Sequence, residues 1–217
     1  MSLTVGDIIT GARRKLHDED SSAYRWSDAD LLAYAGQAQR EVVKAKPDEN
    51  PVRVSLQLIA GLTVQDILPA AGWQLLDIVR NMGSDGETPG PAIPYIERAE
   101  LDRQDRKWHS SAPSSEVWNW TRDRTDNRKF YVYPRVHLST PVYVEMVYSA
   151  IPALFLQTVD ALVISDIHQT AMEFLTAGLA LMEDDPKSDI PRGQALIKTG
   201  FDSLRLGAQS EMAVEAR

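Results

Sequence analysis

Four histidines, His17, His109, His137 and His168, are the first residues to weigh for chemistry. None belongs to a His-Glu-x-x-His pattern, and no two stand four apart. His168 and Glu173 are five residues apart, a spacing that does not stack them on one helical face. A di-iron site between helices needs Glu-x-x-His pairs facing inward, and none occurs. Gly83, Gly86 and Gly90 lie in a proline-containing loop rather than at a strand-to-helix turn, so they make no phosphate cradle. No serine sits in a Gly-x-Ser-x-Gly elbow. Glu183, Asp184 and Asp185 crowd a helix end beside a proline, where a solvated cap or an interface charge suits them better than an acid/base pair. The chain has no cysteine, which excludes disulfides and thiolate metal sites and fits a reducing compartment. The expectation is a protein with no catalytic residues, no metal ligands and no cofactor.

One block is chemically suggestive in another way. Between Glu97 and Arg135, nine cations face seven carboxylates, a local excess of +2, and Trp108, Trp118, Trp120, Phe130, Tyr131 and Tyr133 are interleaved with them. Basic aromatic surfaces bind single-stranded nucleic acid by stacking. Near-balanced charge and strand-borne aromatics fit a sheet core with a protein interface better. The whole chain, at −8 over 217 residues, repels phosphate. Binding of single strands through the basic aromatic region therefore stands as the alternative function.

The elements that position these residues follow from periodicity. Val5, Ile8, Ile9, Ala12 and Leu16 form a helical stripe over about Val5–His17, with Thr4 as cap and Asp7 completing a capping box. Arg13, Arg14 and Lys15 read as the solvated end of that helix. "SSAYRWSDADLLAYAGQAQREVV" starts a second helix, with Ser27 as cap and Asp28 and Asp30 in the first turn. Its buried face is Leu31, Leu32, Ala35, Ala38 and Val42, with Tyr34 beside them, and Pro47 stops it. Trp26, just before the cap, is placed to staple onto Leu31. From residue 51 the period changes to two. "VRVSLQLIAG" is a half-buried strand with "LTVQDILP" as its hairpin partner, and "QLLDIVRNMG" is a third strand closed by Gly83. "ERAELDRQDRKW" is a short helix after a Gly/Pro-rich loop. "EVWNWTRD" and "RKFYVYPR" are two aromatic strands, and "TPVYVEMVYSA" alternates again. Helical period returns with "DIHQTAMEFLTAGLALME", whose stripe is Ile167, Ala171, Phe174, Leu175, Gly178 and Leu181. A last helix begins near Ile190, and the tail "QSEMAVEAR" has little reason to fold on its own.

The order predicts an α+β protein. N- and C-terminal helix pairs, residues 1–50 and 151–217, form a four-helix bundle, and 51–150 is an inserted antiparallel β domain with a long loop. No signal peptide and no membrane span are visible.

The succession "YRWSDADLLAYAGQAQREVV", "LLDIVRNMG", "DRQDRKWHSS", "RKFYVYPRV", "VYVEMVYSAIP" and "DIHQTAMEFLTAGLALMEDDPKS" resembles the head-to-tail adaptor (connector) proteins of tailed bacteriophages, particularly short-tailed ones. Gly36 departs from similar sequences, which often carry a polar residue there. Glycine within a helix costs about 1 kcal/mol relative to alanine, and close helix packing would compensate it. The resemblance implies a non-enzymatic virion protein of the neck and tail, present in the host cytoplasm during assembly. It implies a homo-oligomeric, twelve-membered ring beneath the portal protein that carries the tail nozzle or tail tube protein and extends the channel. Genome DNA would pass without specific binding, and an acidic lumen suits that passage. The free protein is expected to be monomeric. Tyr24, Trp26, Trp108, Arg205, Met212, Val214 and Arg217 are the expected portal or subunit contacts, together with the tail from Ala208 and the segment Gly83–Ser111.

Overall fold

A computed structural model describes residues 3–66, 72–183 and 189–215, with side chains described as far as Arg205. In chain order the elements are α1 (Val5–Leu16), α2 (Asp28–Ala45), β1 (Pro51–Gln57), β2 (Val64–Asp66) and β3 (Gly72–Asn81). They continue with α3 (Arg98–Gln104), β4 (Asn119–Arg122), β5 (Lys129–Tyr133), β6 (Tyr143–Ala150), α4 (Gln169–Met182) and α5 (Ile190–Glu215). Two compact units result, Met1–Glu49 with Pro152–Arg217, and Asn50–Ile151.

In the helical unit, α4 packs against α1, α2 and α5, and α1 packs against α2. The caps follow the sequence. The Asp7 carboxylate accepts from the Thr4 N–H at 2.9 Å and its hydroxyl at 2.7 Å. Ser27 Oγ accepts from the Asp30 N–H at 3.1 Å while Asp30 reaches back to the Ser27 N–H at 3.2 Å. Val5, Ile8, Ile9, Ala12 and Leu16 are all buried, as are Leu31, Tyr34, Ala35, Ala38 and Val42, with Leu32 half-buried.

Three expectations need correction here. A 3-10 turn, Asp166–His168, precedes α4 and shifts its phase, so Ile167 is 65% exposed and His168 is buried in its place. α5 continues to Glu215 because no proline or glycine follows Gly207 to break it, so "SEMAVE" is helical rather than a loose tail. Gly36 does admit a close neighbour, but that neighbour is extended chain: a Cβ there would stand 2.9 Å from Leu154 Cδ2. Tight helix contacts lie elsewhere, as between α4 and α5, where a Cβ on Gly178 would meet Ile197 Cγ1 at 2.6 Å and the Gly193 carbonyl at 2.9 Å.

The β unit holds two antiparallel three-stranded sheets, ordered β1-β6-β3 and β2-β5-β4. The expected hairpin of β1 with β2 does not form; β1 pairs with β6, Val54 opposite Met146, and β2 pairs with β5. Alternation sends Val144, Met146 and Tyr148 of β6 and Phe130 and Val132 of β5 into one core shared with Leu75, Ile78 and Trp120. Tyr131 and Tyr133 point to the other face of β5, where they pack on Ile96, Leu101 and Trp108 around α3. Asn81 pins the long loop: its amide accepts from the Val117 N–H and donates to the Val117 carbonyl, both at 2.8 Å, while its backbone N–H donates to the Pro91 carbonyl.

Candidate functional site

The distinctive entry to α2 is organised by a residue that the charge pattern assigns to solvent. Arg13 is buried, unlike Arg14. Its guanidinium meets Asp18 Oδ2 at 2.6 Å and Asp28 Oδ1 at 2.7 Å, and it donates to the Trp26 carbonyl at 3.1 Å. Asp18 in turn accepts from the backbone N–H groups of Arg25, at 2.7 Å, and Trp26, at 3.3 Å. The Tyr24 ring lies over the Arg13 guanidinium, 3.5 Å from its carbon to the ring centroid. Trp26 is buried in the same cluster as Leu31, the staple that its position predicts. The loop 18–26 is thus clamped from below by a buried ion cluster and capped by a half-exposed tyrosine. Lys15 is also engaged: it pairs with Glu173 of α4, which lies in the space that Gly11 leaves on α1.

A second feature has no periodic signature in the sequence. The irregular segment leading from Pro152 to α4 exposes Leu154, Leu156, Val159, Val163 and Ile167, with Leu156 85% and Val159 71% exposed. The segment is nevertheless fixed along its length. Arg40 holds the Pro152 carbonyl at 3.0 Å; the N–H groups of Val5 and Gly6 hold the carbonyls of Asp160 and Thr158 at 2.9 and 2.8 Å. Gln39 accepts from the Val163 N–H at 3.0 Å, and Glu49 from the Ser165 N–H at 2.9 Å. Asp160 closes the turn by accepting from the N–H groups of Gln157 and Leu156, which hold its carboxyl below its ordinary value. Glu49 also meets His168 Nε2 at 2.8 Å. The result is a backbone-anchored apolar ridge whose most exposed members, Leu156 and Val159, are left largely open among the described residues. Thr158 on this ridge and Tyr24 line one cleft of ≈ 370 Å³ with Arg14 and Glu19. Exposed apolar side chains concentrated on one anchored segment are the kind of surface that marks association sites.

The basic aromatic block of the β unit is mostly interior. Trp108, Trp120 and Phe130 are buried, and Trp108 Nε1 donates to Asp102 at 2.8 Å. Trp108 is therefore a core residue of its region and offers no surface to a partner. His109 stacks on it at 3.5 Å; burial and then the Arg98 charge push this histidine below its ordinary value. Trp118 is the exposed tryptophan of the block, packed edge-on against Tyr133. A stacking platform for bases would need several such rings side by side. In the segment Gly83–Ser111, Tyr95 is half-exposed and the turn from Asp85 is closed by the carboxylate, which accepts from the Glu87 N–H and the Thr88 hydroxyl and N–H and is held down to about 2.

Of the expected contact residues, Tyr24 reaches the surface, and Trp26 and Trp108 do not. Arg205 is exposed beside Asp202 on α5. Met212 and Val214 lie on α5 beyond the described side chains, and Arg217 lies outside the described residues. Among the described residues no group of three or more His, Asp or Glu side chains is arranged to hold a metal ion, and no helix is long and apolar enough to cross a membrane.

The family model described as SU10 adaptor protein matches residues 3–216. No curated protein matches the chain at a significant level. The chain belongs to the SU10 adaptor protein family.

Proposed function

We propose, with membership of this family as the premise, that the chain is a structural protein of a tailed, short-tailed phage that assembles as a ring between the portal and the tail nozzle or tube. The observation that carries the reading is the apolar ridge from Leu154 to Ile167, held in place by hydrogen bonds along its backbone but left exposed among the described residues. A free domain gains nothing from exposing leucine at 85%; a subunit that buries it against a neighbour does. Tyr24 and the ridge would form one contact surface, with the Arg13 cluster fixing the angle at which it is presented. The four helices form a bundle in this reading, and the β unit faces the next component. Ring assembly in twelve copies would put an acidic chain around the channel, and like charge keeps DNA from adhering.

Placing charge on the ridge tests this. Leu156→Asp and Val159→Asp alter side chains with almost no internal contacts, so melting temperature stays within about 2 °C of wild type, while co-sedimentation with portal particles falls at least tenfold. Undiminished co-sedimentation would remove the ridge from the assembly surface.

A further inference from the structure

The β unit has one long sheet edge with which no described segment pairs. β3 and β1 are the outer strands of their sheet. The outer side of β3 is occupied: the Asn81 N–H donates to the Pro91 carbonyl, the Ile93 N–H to the Val79 carbonyl, and the Leu75 N–H to the Asn127 carbonyl. In the other sheet, β4 is bridged by Pro94 and Ile96, and β2 is three residues long. β1 has no such backbone pairing among the described residues; the loop at Gly86 reaches only the polar face of the strand, where a Cβ on that glycine would stand 3.1 Å from Ser55 Oγ.

The register shows which groups are left over. At the two ends of the β1–β6 pair, the Ala150 N–H donates to the Asn50 carbonyl and the Leu58 N–H to the Val142 carbonyl. Antiparallel pairs alternate between bonded and non-bonded residues. Positions 52, 54 and 56 therefore bond to β6, and the N–H groups of Arg53, Ser55 and Gln57 point out from the edge. So do the carbonyls of Pro51, Arg53, Ser55 and Gln57. The apolar side of the same edge is also unfinished: Val52, Val54 and Leu56 pack on the core yet stay half-exposed. On the polar side Arg53 is 67% exposed, with Glu145 3.4 Å away; that carboxylate is bound more closely by Arg80, at 2.6 Å.

We propose that β1 is a docking edge for an extended strand donated by another virion protein, which adds to the sheet as a fourth strand. Backbone pairing would supply the affinity, and alternate side chains the selectivity. The incoming strand carries apolar residues at every second position, over Val52, Val54 and Leu56, and a carboxylate opposite Arg53. This inference rests on the adaptor reading. A second copy could meet β1 only edge to edge, because every described strand of this chain already lies within a sheet. Pairing of β1 with β1 closes a two-fold dimer, whereas ring contacts run head to tail, and β2, an outer strand of the other sheet, has three residues against the seven of β1, so the edge is left for a different protein.

Proline on the outward-facing positions isolates the edge. Ser55→Pro removes one outward N–H and leaves the bonds to β6 in place, as edge strands tolerate. Arg53→Glu reverses the charge without touching the backbone and keeps the test valid should the proline variant fold poorly. Phage particles carrying each variant are purified, and the chain and the next tail component are quantified by mass spectrometry. Wild-type incorporation of the chain should persist in both variants, with the tail component reduced at least tenfold in Ser55→Pro and severalfold in Arg53→Glu. Retention of the tail component in both would overturn the docking edge while the adaptor reading stands. Loss of the chain itself from particles of folded variants would assign β1 to the ring and also overturn it. Absence of the chain from wild-type particles would overturn both readings.

Discussion

Removing Asp18 should unseat the whole entry to α2. The carboxylate is 3% exposed and neutralises a guanidinium that is 6% exposed, and it also accepts two backbone N–H groups of the loop. Deleting one partner of a buried pair costs about 3–5 kcal/mol when the other charge is left alone, and Arg13 keeps Asp28 Oδ1 at 2.7 Å, which holds the loss to the lower part of that range. The two released N–H groups sit close to the surface loop, so water recovers part of their bonding, and the lower half of that range, about 3–4 kcal/mol, is the expected loss for Asp18→Ala. For a chain of this size each kcal/mol moves the midpoint by roughly 2–4 °C, giving a drop of about 6–16 °C in a melt followed by far-ultraviolet circular dichroism. Arg13→Met should cost a similar amount, and Arg13→Met with Asp18→Asn less than the two together, since neither charge is then left alone. Arg14→Ala is the internal control: its side chain is 69% exposed and its carboxylate partner is 3.8 Å away, so the change stays within about 0.5 kcal/mol. Equal, small effects at Arg13 and Arg14 would refute the reasoning, because they would mean that the buried cluster does no more than a surface pair.

Two further outcomes follow from the helical unit. Burial raises the Glu49 carboxyl, but the Ser165 N–H and His168 outweigh it and hold the group below its ordinary 4.5. A depressed carboxyl contributes stability that is present above 4.5 and lost as pH falls through the folded value, so Glu49→Gln should flatten the decline in urea midpoint below about pH 4.5; an unaltered acid limb would contradict this. Gly178→Ala should lower stability by about 1–3 kcal/mol despite the better helix propensity of alanine, because the new Cβ meets the Gly193 carbonyl and Ile197 with no room to yield; a higher melting temperature would show that α4 and α5 can separate at no cost.

What the sequence reveals is what short-range chemistry decides. Thr4 with Asp7 and Ser27 with Asp30 announce their helix starts because cap and acceptor are three residues apart. The alternation in β1 and β6 is equally local. Pairing is not: β2 follows β1 closely in the chain, yet β1 goes to β6, with Val54 opposite Met146 and Arg53 reaching Glu145 ninety-two residues away. Arg13 looked solvated because a run of three cations at a helix end usually is. Its burial depends on Asp18 and Asp28 folding back over it, which no helical spacing encodes. His168 replaced Ile167 in the core through a single 3-10 turn that advances the phase. The ridge at Leu156 and Val159 was illegible for a different reason: irregular chain has no period, and only its exposure in the folded unit marks it. Tyr24 and Trp26, conspicuous together, part company in the structure, one lying over Arg13 at the surface and the other stapled beneath.

The most direct test of the adaptor reading is electron microscopy of the purified protein mixed with its portal ring. A second ring stacked coaxially below the portal, with the helical unit of each subunit in contact with its neighbour through the ridge, is the predicted image. Bare portals beside unassembled protein, at concentrations well above those in an infected cell, would contradict it.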